Sequence, residues 1–251
     1  MSGHVAAIVP AAGRGQRLGT RTSKPFLALN GRPLLVHTLS ALQESPAIRW
    51  IVLVVRAAEL AQAKTLLRRH RITKARPPCI GGSSRSESVA NGFAALPPQA
   101  AWVLVHDAAR PCVSRDLIEQ AVREAKRYGA VACGLPAMLT VKAVDERCEV
   151  RLTLDRDSLW LVQTPQVFRR NWFAQAVAQA DHQLDRFSDD AALLEAAGFP
   201  VRMIPGDPLN LKVTTQDDLL LAEAILAKRS QHSKVKSQNH KSQVKRELVQ
   251  F

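Results

Sequence analysis

The stretch whose reading decides the fold is "VPAAGRGQRLGTRTSKP", Val9–Pro25. It carries glycines at 13, 15 and 19 and the cations Arg14, Arg17, Arg21 and Lys24. Before it, Val5–Val9 is a short apolar run rich in β-branched residues, as a buried strand requires. After it, Pro33 opens "PLLVHTLSAL", whose apolar spacing predicts an amphipathic helix. A glycine-rich loop between a first strand and a first helix lies at the carboxyl edge of a sheet, where open α/β folds bind ligands.

Further along, strand and helix patterns alternate. "IRWIVLVV" (Ile48–Val55) predicts a fully buried strand, and "AAELAQAKTLLRRH" (Ala57–His70) a helix. A short strand near Pro78–Ile80 leads to "GGSSRSESVANGFAAL", a glycine turn feeding a helix. "AWVLVHD" (Ala101–Asp107) is a strand, and Arg115–Tyr128 a helix with Ser114 as its N-cap and Gly129 as its stop. "AVACGLP" (Ala130–Pro136) is one more strand. This alternation predicts an α/β fold with a mostly parallel open sheet and helices on both faces. From Met138 to Phe168 the pattern breaks: "LTVKAVDERCEVRLTLDR" alternates with period two around a polar turn and predicts a β-hairpin arm, about 138–160. Helices over Asn171–Ala180 and Asp189–Gly198, a strand over Pro200–Gly206 and a last helix from Thr215, box-capped by Asp218, complete the pattern. The expectation is one domain over residues 1–227, bearing the arm.

The 251 residues suffice for one large core, and no run reaches the eighteen or so apolar residues of a membrane span. The four cysteines (Cys79, Cys112, Cys133, Cys148) are widely spaced, which argues against zinc and for reduced thiols. With no signal-peptide pattern in "MSGHVAAIVPAAG", a cytoplasmic location is expected. The net charge of +13 invites a nucleic-acid reading. However, +6 of it sits on residues 228–251, a polar, unpatterned tail expected to be disordered. The body has one Tyr and four scattered Trp, not the interleaved aromatics of a single-strand binder, so nucleic acid is not the expected partner.

Two phosphate-loop readings of Val9–Pro25 fail. Gly13, Gly15 and Gly19 give G-x-G-x-x-x-G rather than the dinucleotide G-x-G-x-x-G, and the second strand ends in Val55-Arg56 without the acid that holds a ribose. The P-loop pattern G-x-x-x-x-G-K-[ST] is absent. What remains is a small-residue turn, Ala11-Ala12-Gly13-x-Gly15, followed by Arg17 and Lys24. Bare backbone approaches a nucleotide closely and donates N–H groups, while fixed cations stabilise charge developing on a triphosphate.

Taken in order, "PAAGRGQRLG…SKPFLALNGRPLL", "GGSSRSESVANGF" (Gly81–Phe93), "VHDAARPCVS" (Val105–Ser114), "TLDRDSLWLVQTPQVF" (Thr153–Phe168), "FSDDAALLEAAGFPV" (Phe187–Val201) and "LNLKVTTQDDLLLAE" (Leu209–Glu223) resemble the 2-C-methyl-D-erythritol 4-phosphate cytidylyltransferases. The resemblance covers Val5 to about Ala227. It implies a Rossmann-like nucleotidyltransferase fold and transfer of CMP from CTP to 2-C-methyl-D-erythritol 4-phosphate, with Mg²⁺ and release of pyrophosphate. It assigns Arg17 and Lys24 to the transition state on the triphosphate side, and Arg156 and Lys212 to the attacking phosphate. It matches Ala11, Ala12, Gly13, Gly15, Gly82, Ser88, Asp107 and Ala108 to CTP, and Asp107, Arg110, Thr140, Arg156, Ser188 and Lys212 to the polyol phosphate. Asp107 is also the one candidate for direct contact with the metal, which the family holds chiefly through triphosphate oxygens. The family pairs as homodimers in which the arm serves the partner's site. Departures are Ser83, where many relatives carry an acid, Ser188, where Thr is frequent, and Pro25-Phe26, where many read Gln-Tyr. The same loop and cations would also serve a cytidylyltransferase for another polyol phosphate such as ribitol 5-phosphate; a non-catalytic polyanion-binding protein is the third reading. The histidines form no ligand spacing, and His106 reads as structural.

Overall fold

The computed structural model describes residues 3–13, 23–180 and 183–247, with side chains to residue 231. Arg17 and Gly15 lie outside the described residues.

The strands are β1 (His4–Pro10), β2 (Ala28–Leu29), β3 (Arg32–Pro33), β4 (Ile48–Val55), β5 (Cys79–Ile80), β6 (Ala100–Val105), β7 (Ala130–Pro136), β8 (Val141–Val144), β9 (Val150–Leu154), β10 (Trp160–Arg169) and β11 (Arg202–Pro205). The helices are α1 (Leu34–Glu44), α2 (Leu60–Arg69), α3 (Arg85–Ala94), α4 (Arg115–Tyr128), α5 (Arg170–Gln179), α6 (Asp190–Ala196) and α7 (Gln216–Glu247). Seven strands form the main sheet in the order β11-β7-β10-β6-β1-β4-β5. Every neighbouring pair is parallel except those made by β10, which runs antiparallel to both β6 and β7. The expected mostly parallel sheet is thus the observed one.

Alternation along β1 divides the core. Val5, Ala7 and Val9 face a layer built on α1, α2 and α4, while Ala6 and Ile8 face α3, α5 and α6. All five are essentially fully buried, and burial of each large aliphatic is worth roughly 1.5–3 kcal/mol. Helix α3 lies unusually close to the sheet: a Cβ at Gly92 would stand 2.5 Å from Ile8 Cγ2 and 2.8 Å from Val54 Cγ2. Glycine there sets the depth of α3, and so the position of its N-terminus at the sheet's carboxyl edge.

Within the expected arm β8 and β9 pair as their own two-stranded sheet, and at Trp160 the chain enters the main sheet as β10. "WLVQTPQVF" contains Pro165, which cannot donate to a ladder and reads against a central strand. The structure absorbs it in a register shift between Val162 and Gln166. One expectation is corrected: where a disordered tail was expected from residue 228, the boundary at 227/228 falls inside α7, which continues to Glu247. The segment has no Gly or Pro to stop a helix and carries several Lys, Arg and Gln, which favour one. Arg229 binds the body, its Nη1 donating to the Cys112 carbonyl at 2.6 Å and its Nη2 lying 3.3 Å from Asp207.

Candidate active site

A cleft of about 680 Å³ opens where β1, β4, β5 and β6 end. One wall is Ala11-Ala12-Gly13, tied down by Ala11 N–H donating to the Val54 carbonyl at 2.7 Å. The facing wall is Gly81-Gly82, hung from β4 by Gly81 N–H to the Val55 carbonyl at 2.9 Å. The walls touch: a Cβ on Gly81 would meet Ala12 Cβ at 2.6 Å. Small residues are therefore a packing requirement of the cleft, in addition to leaving backbone exposed to a ligand. Ser88 braces the same turn, its Oγ accepting from Gly82 N–H at 3.1 Å and donating to the Ser84 carbonyl at 2.8 Å. Ser84 caps α3 by accepting from Glu87 N–H, and Ser83 donates its N–H and hydroxyl to the Glu87 carboxylate.

Among the described residues lining the cleft there are four cations, Lys24, Arg56, Arg85 and Lys212, and one acid, Asp107. Asp107 follows β6. Its Oδ2 lies 2.7 Å from Lys212 Nζ and its Oδ1 accepts from Arg85 Nε at 3.1 Å. Burial opposes its ionisation, but Arg85 and Lys212 outweigh that and hold the carboxyl well below the usual range. Arg85 also donates through Nη2 to Asp190 at 2.9 Å. Asp190 is only 2% exposed, and burial pushes its carboxyl up even against Arg85. The backbone of Asp107 is fixed too, its N–H donating to Thr164 Oγ1 at 3.0 Å. Thr164 in turn lies 3.1 Å from His106 Nδ1, while His106 Nε2 lies 3.2 Å from the Arg110 carbonyl. A carbonyl can only accept, so Nε2 bears the proton and Nδ1 accepts from Thr164. Burial pushes the ring's pKa down to about 4, and it stays neutral.

The structure gathers Ala11, Ala12, Gly13, Lys24, Gly82, Ser88, Asp107, Ala108 and Lys212 around one cleft. Arg110 stands behind it, buried, its Nη1 donating to the Asn210 carbonyl at 2.8 Å. Ser188 is exposed beside the N-terminus of α6. Thr140 and Arg156 do not line the cleft; they flank the β8–β9 hairpin, where Arg156 donates to the Met138 carbonyl at 3.0 Å. Arg56, Arg85 and Thr164 escaped the sequence reading. One signal was available for Arg85: a cation at the first position of a helix opposes the macrodipole, which favours an acidic partner beside it.

Both oxygens of Asp107, the candidate for contact with the metal, face cations, and no second carboxylate lines the cleft among the described residues.

The model of the IspD family, 2-C-methyl-D-erythritol 4-phosphate cytidylyltransferase, matches residues 5–228. The chain belongs to this family. A relative from Desulforamulus reducens, named 2-C-methyl-D-erythritol 4-phosphate cytidylyltransferase, is 40% identical over 229 residues, covering 91% of this chain and 98% of its own. One of the same name from Geobacillus kaustophilus is 44% identical over 223 residues, covering 89% and 97%. Among solved structures, the 4-diphosphocytidyl-2C-methyl-D-erythritol synthase of Anaerococcus prevotii superposes with a TM-score of 0.77 at 30% identity, covering 90% of this chain and 96% of its own. The 2-C-methyl-D-erythritol 4-phosphate cytidylyltransferase of Thermus thermophilus gives 0.70 at 33%, covering 88% and 98%. No helix among the described residues is long and apolar enough to cross a membrane.

Proposed function

We propose that this protein transfers CMP from CTP to 2-C-methyl-D-erythritol 4-phosphate, releasing pyrophosphate and forming 4-CDP-2-C-methyl-D-erythritol. The observation that carries the reading is the cleft itself: four cations against one acid, between two small-residue walls, in a chain of this family. Both reactants are anions, and the attacking phosphate monoester is already nucleophilic near neutral pH. The protein's task is alignment and charge neutralisation rather than proton abstraction.

In this reading the walls at 11–13 and 81–82 receive the nucleotide, with Gly15, Ser88 and Ala108 completing that side. Lys24 and Arg17 stabilise the charge that builds on the triphosphate as the α-phosphorus becomes pentavalent. Lys212 and Arg156 hold the attacking phosphate in line, and Asp107, Arg110, Thr140 and Ser188 take the polyol. Mg²⁺ arrives with the triphosphate as part of the nucleotide substrate, and no step is assigned to a protein-held metal.

Thr140 and Arg156 lie at the base of an arm whose apolar side chains face outward: Met138 is 79% exposed, Leu139 81% and Leu152 57%. Such a patch implies a protein partner. The proposed partner is a second copy, each arm completing the other's site. The decisive assay is pyrophosphate release from CTP and Mg²⁺ with 2-C-methyl-D-erythritol 4-phosphate, set against ribitol 5-phosphate. Turnover with the first polyol phosphate at least tenfold above the second is expected; the reverse preference, or no turnover, defeats the reading.

A further inference from the structure

Arg85 is absent from the residues that the family resemblance assigns, yet three elements meet at its guanidinium. It stands at the first turn of α3, holds Asp107 at the end of β6 through Nε, and holds Asp190 at the start of α6 through Nη2. Its third nitrogen, Nη1, is buried and has no partner among the described residues. Around it the start of α6 is anchored independently: Gln166 of β10 donates to Asp189 Oδ2 at 2.6 Å and accepts from Ala191 N–H at 3.0 Å. The fork thus joins the acid of the cleft to the segment carrying Ser188, which α3 also holds through Ser86 Oγ donating to the Phe187 carbonyl at 3.3 Å.

Resting on the functional reading above, we infer that Arg85 is a positioning residue that lets Lys212 change partners. Without substrate, Lys212 pairs with Asp107 at 2.7 Å. When the polyol phosphate enters, its dianion competes for the Lys212 ammonium. Asp107 is almost wholly buried, and a buried carboxylate that loses its counter-ion is strongly destabilised. Arg85 removes that obstacle because it stays on Oδ1 when Lys212 leaves Oδ2. The vacated Oδ2 then accepts a hydroxyl of the same substrate. Asp190, buried and otherwise uncompensated, holds the guanidinium on the far side so that the fork does not follow the phosphate. Arginine is needed for this; a lysine has one point charge and cannot bridge two carboxylates in fixed geometry.

The test separates this role from simple stabilisation. Arg85→Gln strands Asp190, so its melting temperature falls. Adding Asp190→Asn removes the stranded charge and is expected to restore most of that loss. In the folded double variant, KM for the polyol phosphate is expected to stay at least tenfold above wild type, with KM for CTP within about threefold. Arg85→Lys is expected between the two. A wild-type KM for the polyol phosphate in the folded double variant overturns the inference. The crystal structure of that variant gives a readout free of activity: Asp107 is expected to turn from its Oδ1 position. An unchanged Asp107 overturns the inference even if the wild type proves inactive on these substrates, an outcome that by itself defeats only the functional reading.

Discussion

Lys212 Nζ stands 2.7 Å from Asp107 Oδ2, joining a residue that follows β11 to one that follows β6. The pair lies at the mouth of the cleft, with Lys212 41% exposed and Asp107 9% at their side chains. An ion pair so placed is a poised arrangement rather than a structural staple, because the exposed partner can swing to an incoming phosphate. Its stabilising worth at that exposure is modest.

Lys212→Ala is therefore expected to cost activity far more than stability. Turnover should fall by roughly 10²-fold or more, the scale of a lost charge contact in the transition state. The melting temperature should move by only a few degrees. Lys24→Ala and Arg17→Ala should show the same kinetic loss. Steady-state pyrophosphate release with thermal melting measures both; activity within about threefold of wild type in all three would remove these cations from the mechanism.

His106 makes stability depend on pH. Its folded pKa of about 4 lies below the ordinary value near 6.5, because burial disfavours the charged ring. Between these values the unfolded chain binds the extra proton, so stability is complete above about pH 6.5 and declines as pH falls toward 4. The loss amounts to about 3 kcal/mol at most. His37 and His70 are shifted in the same direction, so the slope is shared. Denaturant melts of wild type and His106→Gln across pH 4–7 should show a shallower slope in the variant; equal slopes would mean the ring is not held neutral.

Arg229 predicts where the C-terminal segment ceases to matter. Its bonds to the Cys112 carbonyl and Asp207 are partly exposed and worth about 1–2 kcal/mol together. Truncation after Ala227 should lower the melting temperature by roughly 2–6 °C. Truncation after Gln231 should leave it within about a degree. Equal melting temperatures for the two truncations would show that Arg229 contributes nothing.

The arm can be assigned to its site by mixing. Lys24→Ala and Arg156→Ala chains are each expected to be nearly inactive alone. In a mixed dimer with crossed arms one site receives both lesions and the other neither, so activity should return to about a quarter of wild type after random exchange. If native mass spectrometry shows mixed dimers and activity stays at the parental level, Arg156 serves its own subunit.

Much of this protein is determined locally. β4 and α4 were legible in full because each residue pattern matches one periodicity, with Ser114 and Gly129 closing α4 through their own side chain and backbone. The Ala11–Gly13 and Gly81-Gly82 turns were legible because small residues at a strand's carboxyl end let the backbone turn sharply and come close to a ligand. β10 was not: Pro165 argues against a central strand, and only the pairing partners β6 and β7, distant in sequence, supply the ladder that overrides it. Arg85 was hidden for the same reason. Its partners Asp107 and Asp190 lie 22 and 105 residues away, and no local pattern encodes an ion pair between elements. Local propensity and periodicity belong to the sequence; which buried charges meet is decided only when the sheet order brings the ends of β6, α3 and α6 together.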